Sequence, residues 1–182
     1  MKKRTAAATP DASPPPASDA KAPDNLAALV TQAQAQVQRT LTKIPLFGAV
    51  TWLLMQQPAG RHTLLGELEW RVMPPLILEQ SKVYLREGAP AAFVSWARLS
   101  DAVAQRYQSA PHQLTMSDWN SGSQIWLIDM VAPFGGAQEI LKDMREKVFA
   151  GQTIHQLVSV AAGKSEIIRW PAIASTPTSN KN

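Results

Sequence analysis

The run Ile125-Trp126-Leu127-Ile128-Asp129-Met130-Val131 is apolar except for one carboxylate, and Pro133-Phe134-Gly135-Gly136 follows it almost at once. A short apolar run closed by turn formers reads as a strand, and Ala137 to Phe149 then reads as a helix. A strand that ends in a glycine turn and opens into a helix requires a sheet with a helix packed on it. On a regular strand Asp129 shares a face with Leu127 and Val131, so its carboxylate points with apolar residues. Burial of that charge is costly unless it is paired or used. Two readings follow: a structural carboxylate bonded to backbone or to an arginine, or a functional one.

The rest of the chain supplies the partners for that strand. Asp24 is placed to cap a helix whose apolar positions Leu26, Leu29, Val30, Ala33, Val37, Leu41 and Ile44 recur with a helical period, and Pro45 is expected to stop it. This 24–44 arm is expected to lie on the domain, with docking on a partner as the other reading. A short apolar helix from Gly48 to Gln57, a break at Pro58, and a helix from about Leu64 through Gln80 kinked at Pro74-Pro75 come next. Ser81–Arg86 and Ala91–Ala97 alternate like strands, and Glu87-Gly88-Ala89-Pro90 turns them into a hairpin. Ser100 caps a helix to about Ser109. Thr153–Val160 and Ser165–Trp170 form a closing hairpin around Gly163. This order predicts an α+β fold, a mixed sheet flanked by helices with an acetyltransferase-like (GNAT-type) layout. In that layout the N–H groups after the glycine turn, at Gly135 and Gly136, hold a pyrophosphate or phosphopantetheine. An ordinary loop carries the same glycines.

Composition limits the function classes. Residues 1–23 and 172–182 are rich in Ala, Pro, Ser and other small or polar residues and read as disordered tails around a domain at 45–171. The net charge of +4 suggests nucleic acid until it is located: eleven Lys/Arg balance eleven Asp/Glu between Pro45 and Pro171, so the excess lies outside the domain. A nucleic-acid-binding domain carries its excess on a structured face. The chain lacks cysteine, which removes disulfides, thiolate metal sites and thiol catalysis, and no metal-ligand spacing stands out. Met-Lys-Lys-Arg is followed by Pro10, Asp11 and Pro14-Pro15-Pro16 instead of an apolar stretch, so a secretory signal is not expected. No apolar run reaches membrane-spanning length, and a cytoplasmic protein is expected. The six tryptophans are core or groove-lining residues by expectation. His112 and His155 read as solvated. His62, ahead of a helix, is a candidate general base or a surface cap.

Four strings resemble a known family. They are Leu46-Phe47-Gly48-Ala49-Val50-Thr51-Trp52-Leu53, Val94-Ser95-Trp96-Ala97-Arg98-Leu99-Ser100, Asp118-Trp119-Asn120-Ser121-Gly122, and Trp126-Leu127-Ile128-Asp129-Met130-Val131-Ala132-Pro133-Phe134-Gly135. Together with Met73-Pro74-Pro75 and Gln80, they are similar to the toxin-activating lysine acyltransferases that act on repeat-in-toxin (RTX) haemolysins and leukotoxins. The resemblance implies transfer of a fatty acyl chain from acyl–acyl carrier protein to internal lysines of a protoxin. It also implies an acetyltransferase-type fold, a cytoplasmic homodimer, no bound cofactor, and Asp129 as the catalytic aspartate.

The family's histidine falls on Gly60, where no side chain can act as a base, and the nearest histidine is His62. A serine that the family carries shortly before that position is absent, and Gln56 and Gln57 stand there. Two readings stay open. Either His62 has taken the role through a shifted loop, or the fold persists with impaired catalysis in a binding protein for acyl carrier protein or a toxin-like partner.

Overall fold

A computed structural model describes residues 22–109, 112–161 and 164–173. Of the tails expected at 1–23 and 172–182, residues 1–21 and 174–182 lie outside the described residues, as does the turn at Gly163; residues 22–23 belong to a helix. The chain divides into two units, one ending at Gln38 and the other beginning at Arg39.

Helix α1 spans Ala22–Gln56 and contains Pro45. The helix therefore starts two residues before Asp24 and does not stop at Pro45, contrary to the local rules. A proline inside a helix costs about 3 kcal/mol. Beyond it, Val50, Leu53 and Leu54 are buried against Leu68, Val72, Leu76, Phe93 and Val131. Each such side chain contributes about 1.5–3 kcal/mol, which outweighs the proline. In the second unit Leu41 and Ile44 are exposed, where burial was expected.

A 3-10 turn at Gly60–His62 follows, then α2 (Leu65–Arg71) and α3 (Met73–Ile77). The break between the two helices falls at Val72, ahead of the two prolines. Strands β1 (Ser81–Arg86) and β2 (Ala89–Leu99) form the expected hairpin. Its turn is only Glu87-Gly88, both with positive φ, the two-residue geometry that matches strand twist. Ser100 caps α4 (Asp101–Tyr107), its hydroxyl accepting from the Val103 amide. Strand β3 (Gln124–Val131) leads through the Pro133–Gly136 turn to α5 (Ala137–Asp143), a π turn at Met144–Val148, and the hairpin β4 (Ile154–Ala161) and β5 (Lys164–Trp170).

The sheet order is β1-β2-β3-β4-β5, antiparallel except for β3 with β4. Residues on alternate sides of β2 and β3 feed different cores. Ala92, Val94, Ile125 and Leu127 meet Met144 and Phe149 on the α5 side. Phe93 and Val131 meet α1, α2 and α3, while Ala97, Leu99 and Trp126 meet α4 and Trp119. Helices thus cover both faces of a mixed sheet, in keeping with the expected acetyltransferase-like α+β class.

Candidate functional site

The alternation of β3 is broken where it matters. Ser95 pairs with Asp129 and Trp96 with Leu127, so Ile128 is an extra residue, a β-bulge. The bulge separates Asp129 from Leu127. Leu127 enters the α5-side core, whereas Asp129 meets Arg71 of α2, on the side where Val131 packs. The face-sharing expected for Asp129 therefore holds for Val131 and fails for Leu127, because a bulge shifts the two-residue period.

Asp129 is 5% exposed. Arg71 Nε donates to its Oδ1 at 2.9 Å and its Oδ2 at 2.7 Å, and Arg71 Nη2 also donates to Oδ1. The hydrogen bond to Asp129 raises the Arg71 pKa above the ordinary guanidinium value against the opposing effect of burial. Burial pushes the Tyr107 hydroxyl well above its usual range, and the Asp129 charge adds to the effect. Ser95, directly opposite Asp129 in the ladder, is fully buried, and its hydroxyl has no hydrogen-bond partner among the described residues.

In front of the carboxylate lies a cavity of about 110 Å³, lined by Leu54, Gln57, Gly60, Arg71, Asp129 and Met130 among others. Gly60 and Asp129, far apart in sequence, thus share one space. The glycine is required by packing: a Cβ there would collide with the Leu54 carbonyl oxygen and stand 3.0 Å from its carbon. The Gln57 Oε1 is buried and unpartnered.

His62 stands elsewhere. The segment that carries it is the 3-10 turn closed by Thr63 N–H to the Gly60 carbonyl. At about three residues per turn, a position two residues on points to another side. His62 is exposed and is not among the cavity residues. The other histidines, expected to be solvated, are tied down. His155 is half-buried, stacks on Trp126 at 5.1 Å and contacts the Ile125 carbonyl through Nδ1 at 3.2 Å. His112 Nδ1 is 2.9 Å from the Tyr107 carbonyl. Among the described residues no group of three or more His, Asp or Glu is arranged to hold a metal.

Gly135 and Gly136 have φ of 83° and 85°, a conformation that favours glycine. They line a different cavity of about 400 Å³ with Tyr84, Arg86, Ala92 and Ile140. The parallel pair β3–β4 is registered only from Ile125–Leu127 against Ile154–Gln156, although β3 runs on to Val131 and β4 to Ala161. Asp129 lies on the part of β3 beyond its register with β4, where β3 stays paired with β2.

Arg71 and the cavity face of Gln57 are the site features that the sequence alone did not reveal. Arg71 reads locally as an ordinary charge at a helix end. The one available signal was the cost of burying Asp129, which called for a cation.

A mixed sheet with one parallel strand pair, helices on both faces and a buried carboxylate on its central strand is consistent with the acetyltransferase-like α+β class. The chain belongs to the RTX toxin acyltransferase family, whose model matches residues 39–170. It is 34% identical over 116 residues to "Lysine-acyltransferase RtxC" of Vibrio cholerae, covering 63% of this chain and 72% of that protein. It is 38% identical over 101 residues to "Leukotoxin-activating lysine-acyltransferase LtxC" of Aggregatibacter actinomycetemcomitans, covering 56% and 60%. It is 30% identical over 123 residues to "Protein-lysine myristoyltransferase RtxC" of Kingella kingae, covering 68% and 72%.

Proposed function

We propose that this acyltransferase moves a fatty acyl group from the thioester of an acyl carrier protein to internal lysines of an RTX protoxin, with Asp129 as its catalytic residue. The observation that carries this reading is the buried Asp129, fixed by Arg71 at the wall of a small cavity. A lysine amine entering that cavity gives one N–H to the carboxylate, which directs the nitrogen lone pair at the thioester carbonyl. The nitrogen–carbon bond forms as the carbon–sulfur bond breaks. The proton shed by nitrogen passes to Asp129 and then to solvent, and the departing thiolate takes a proton from solvent. Arg71, bonded to both carboxylate oxygens, keeps Asp129 oriented throughout.

The donor's arm enters where β3 and β4 lose their pairing, beside the Gly135-Gly136 turn. The enzyme works as a cytoplasmic homodimer. Among the described residues no helix is long and apolar enough to cross a membrane. His62, exposed outside the cavity, takes no part.

The test is in vitro transfer from acyl carrier protein charged with a myristoyl thioester to a purified RTX protoxin fragment. Lysine acylation by the unaltered protein, lost in Asp129→Asn, is the expected result. A stable complex with the charged carrier protein and no transfer would identify a binding protein instead.

A further inference from the structure

We propose that Gln57 is a second substrate-contacting residue, whose Oε1 accepts a hydrogen bond from the attacking lysine nitrogen. The inference rests on the acyl-transfer reading above and deepens it. Gln57 follows the last turn of α1, its amide bonded to the Leu54 carbonyl at 3.1 Å, and its side chain lines the Asp129 cavity. Its Oε1 is buried and receives no hydrogen bond from any described residue. Buried acceptors are nearly always satisfied in native proteins, so an orphan on a residue that lines a cavity calls for an explanation.

The backbone around it gives one. The Gln57 carbonyl accepts from the Arg61 amide at 3.2 Å, and Arg61 Nε reaches the Met55 carbonyl at 2.9 Å, so the turn that brings Gln57 to the cavity is anchored at both ends. Gly60 leaves the cavity without a side chain at that point, and the Leu54 carbonyl forbids one. Among the residues lining the cavity, the side chains that carry an acceptor oxygen are Asp129, already engaged by Arg71, and Gln57.

A primary amine has two N–H bonds and one lone pair. An acceptor on each N–H fixes the direction of the lone pair, whereas Asp129 alone leaves the nitrogen free to rotate. Gln57 supplies the second acceptor, and as a neutral group it does so without adding charge beside Asp129. It also stabilises the positive charge that grows on nitrogen as the bond to carbon forms.

The experiment measures transfer from myristoyl–carrier protein to an RTX protoxin fragment, varying each substrate, for the unaltered protein, Gln57→Leu, Gln57→Met and Gln57→Glu. Loss of a hydrogen bond to a group gaining charge is expected to lower kcat/KM for the lysine acceptor about 10–100-fold in the Leu and Met variants. KM for the carrier protein stays unchanged. Their Tm is equal to or above that of the unaltered protein, because an unsatisfied buried oxygen has been removed. Gln57→Glu, which keeps an acceptor at the same reach, transfers faster than Gln57→Leu. Unchanged acceptor kinetics in both apolar variants overturn the inference, as does a loss that accompanies a lowered Tm and a raised carrier-protein KM. If the unaltered protein transfers nothing, the functional reading fails and this one fails with it.

Discussion

Arg71 and Asp129, separated by 58 positions in the chain, meet as a charged pair in which Nε reaches both carboxylate oxygens. The carboxylate is 5% exposed and the guanidinium side chain 30% exposed. Removing one partner of a buried pair costs about 3–5 kcal/mol because the other charge is left uncompensated. Arg71 keeps some solvent contact, so Arg71→Ala is expected near the lower end of that range. Asp129→Asn retains an oxygen for Arg71 and is expected to cost less and to stay folded. Urea unfolding of both variants gives the order directly; a greater loss in Asp129→Asn than in Arg71→Ala would show that the pair is not what holds Arg71.

The site does not accept a histidine at position 60 by simple substitution. A side chain there meets the Leu54 backbone, and overpacking of this kind costs about 1–3 kcal/mol. Gly60→His is expected to lower Tm and to give no gain in transfer, although Gly60 lines the Asp129 cavity. His62→Ala is expected to match the unaltered protein, since that ring is exposed outside the cavity. Parallel melts and transfer assays check both. A rise in activity in Gly60→His, or a large fall in His62→Ala, contradicts the arrangement described here.

Asp143 ties α5 to β1. It accepts from Lys147, Lys82 and Tyr84, each at 2.7 Å. The hydrogen bond from Lys147, then those from Lys82 and Tyr84, hold its carboxyl far below the usual range. A carboxylate whose folded pKa is depressed gives its full stability above the unfolded value. It loses that stability as pH falls through the lower folded value. The unaltered protein is therefore expected to lose Tm steadily below about pH 4. Asp143→Asn should melt lower at pH 7 and show a flatter decline in acid. Equal acid slopes in the two proteins would remove Asp143 from the account.

Gly122 closes the Asp118–Gly122 turn onto β2. Its amide donates to the Arg98 carbonyl at 3.0 Å, and a Cβ would stand 2.6 Å from the Leu99 carbonyl carbon. Gly122→Ala is expected to destabilise by about 1–3 kcal/mol, measured by denaturant unfolding. A change below about 0.5 kcal/mol, the level of an ordinary surface substitution, would show that this turn yields easily.

The strands were legible because alternation and turn residues are local signals: β1, β2, β3 and the closing hairpin lie within a few residues of their expected limits. What the sequence hid depended on distant packing. Pro45 obeys the local rule for a helix stop, yet the burial of Val50, Leu53 and Leu54 carries the helix through it. The bulge at Ile128 is set by register with β2, which no residue of β3 announces. Asp129 stood out because its burial was implied by its neighbours. Arg71 did not, because a charge at the end of a short helix is commonplace until its partner is known. Gly60 was conspicuous only for the side chain it lacks, and the reason for its absence, the Leu54 carbonyl, is a matter of three-dimensional contact.

The most direct test of the central claim is the intact mass of an RTX protoxin co-expressed with this chain, followed by peptide mapping. The expected result is a mass gain of one fatty acyl group per modified site, located on internal lysines, and no gain when Asp129→Asn replaces the unaltered protein. A protoxin that stays at its unmodified mass with the unaltered protein, or gains the same acyl groups with Asp129→Asn, would contradict it.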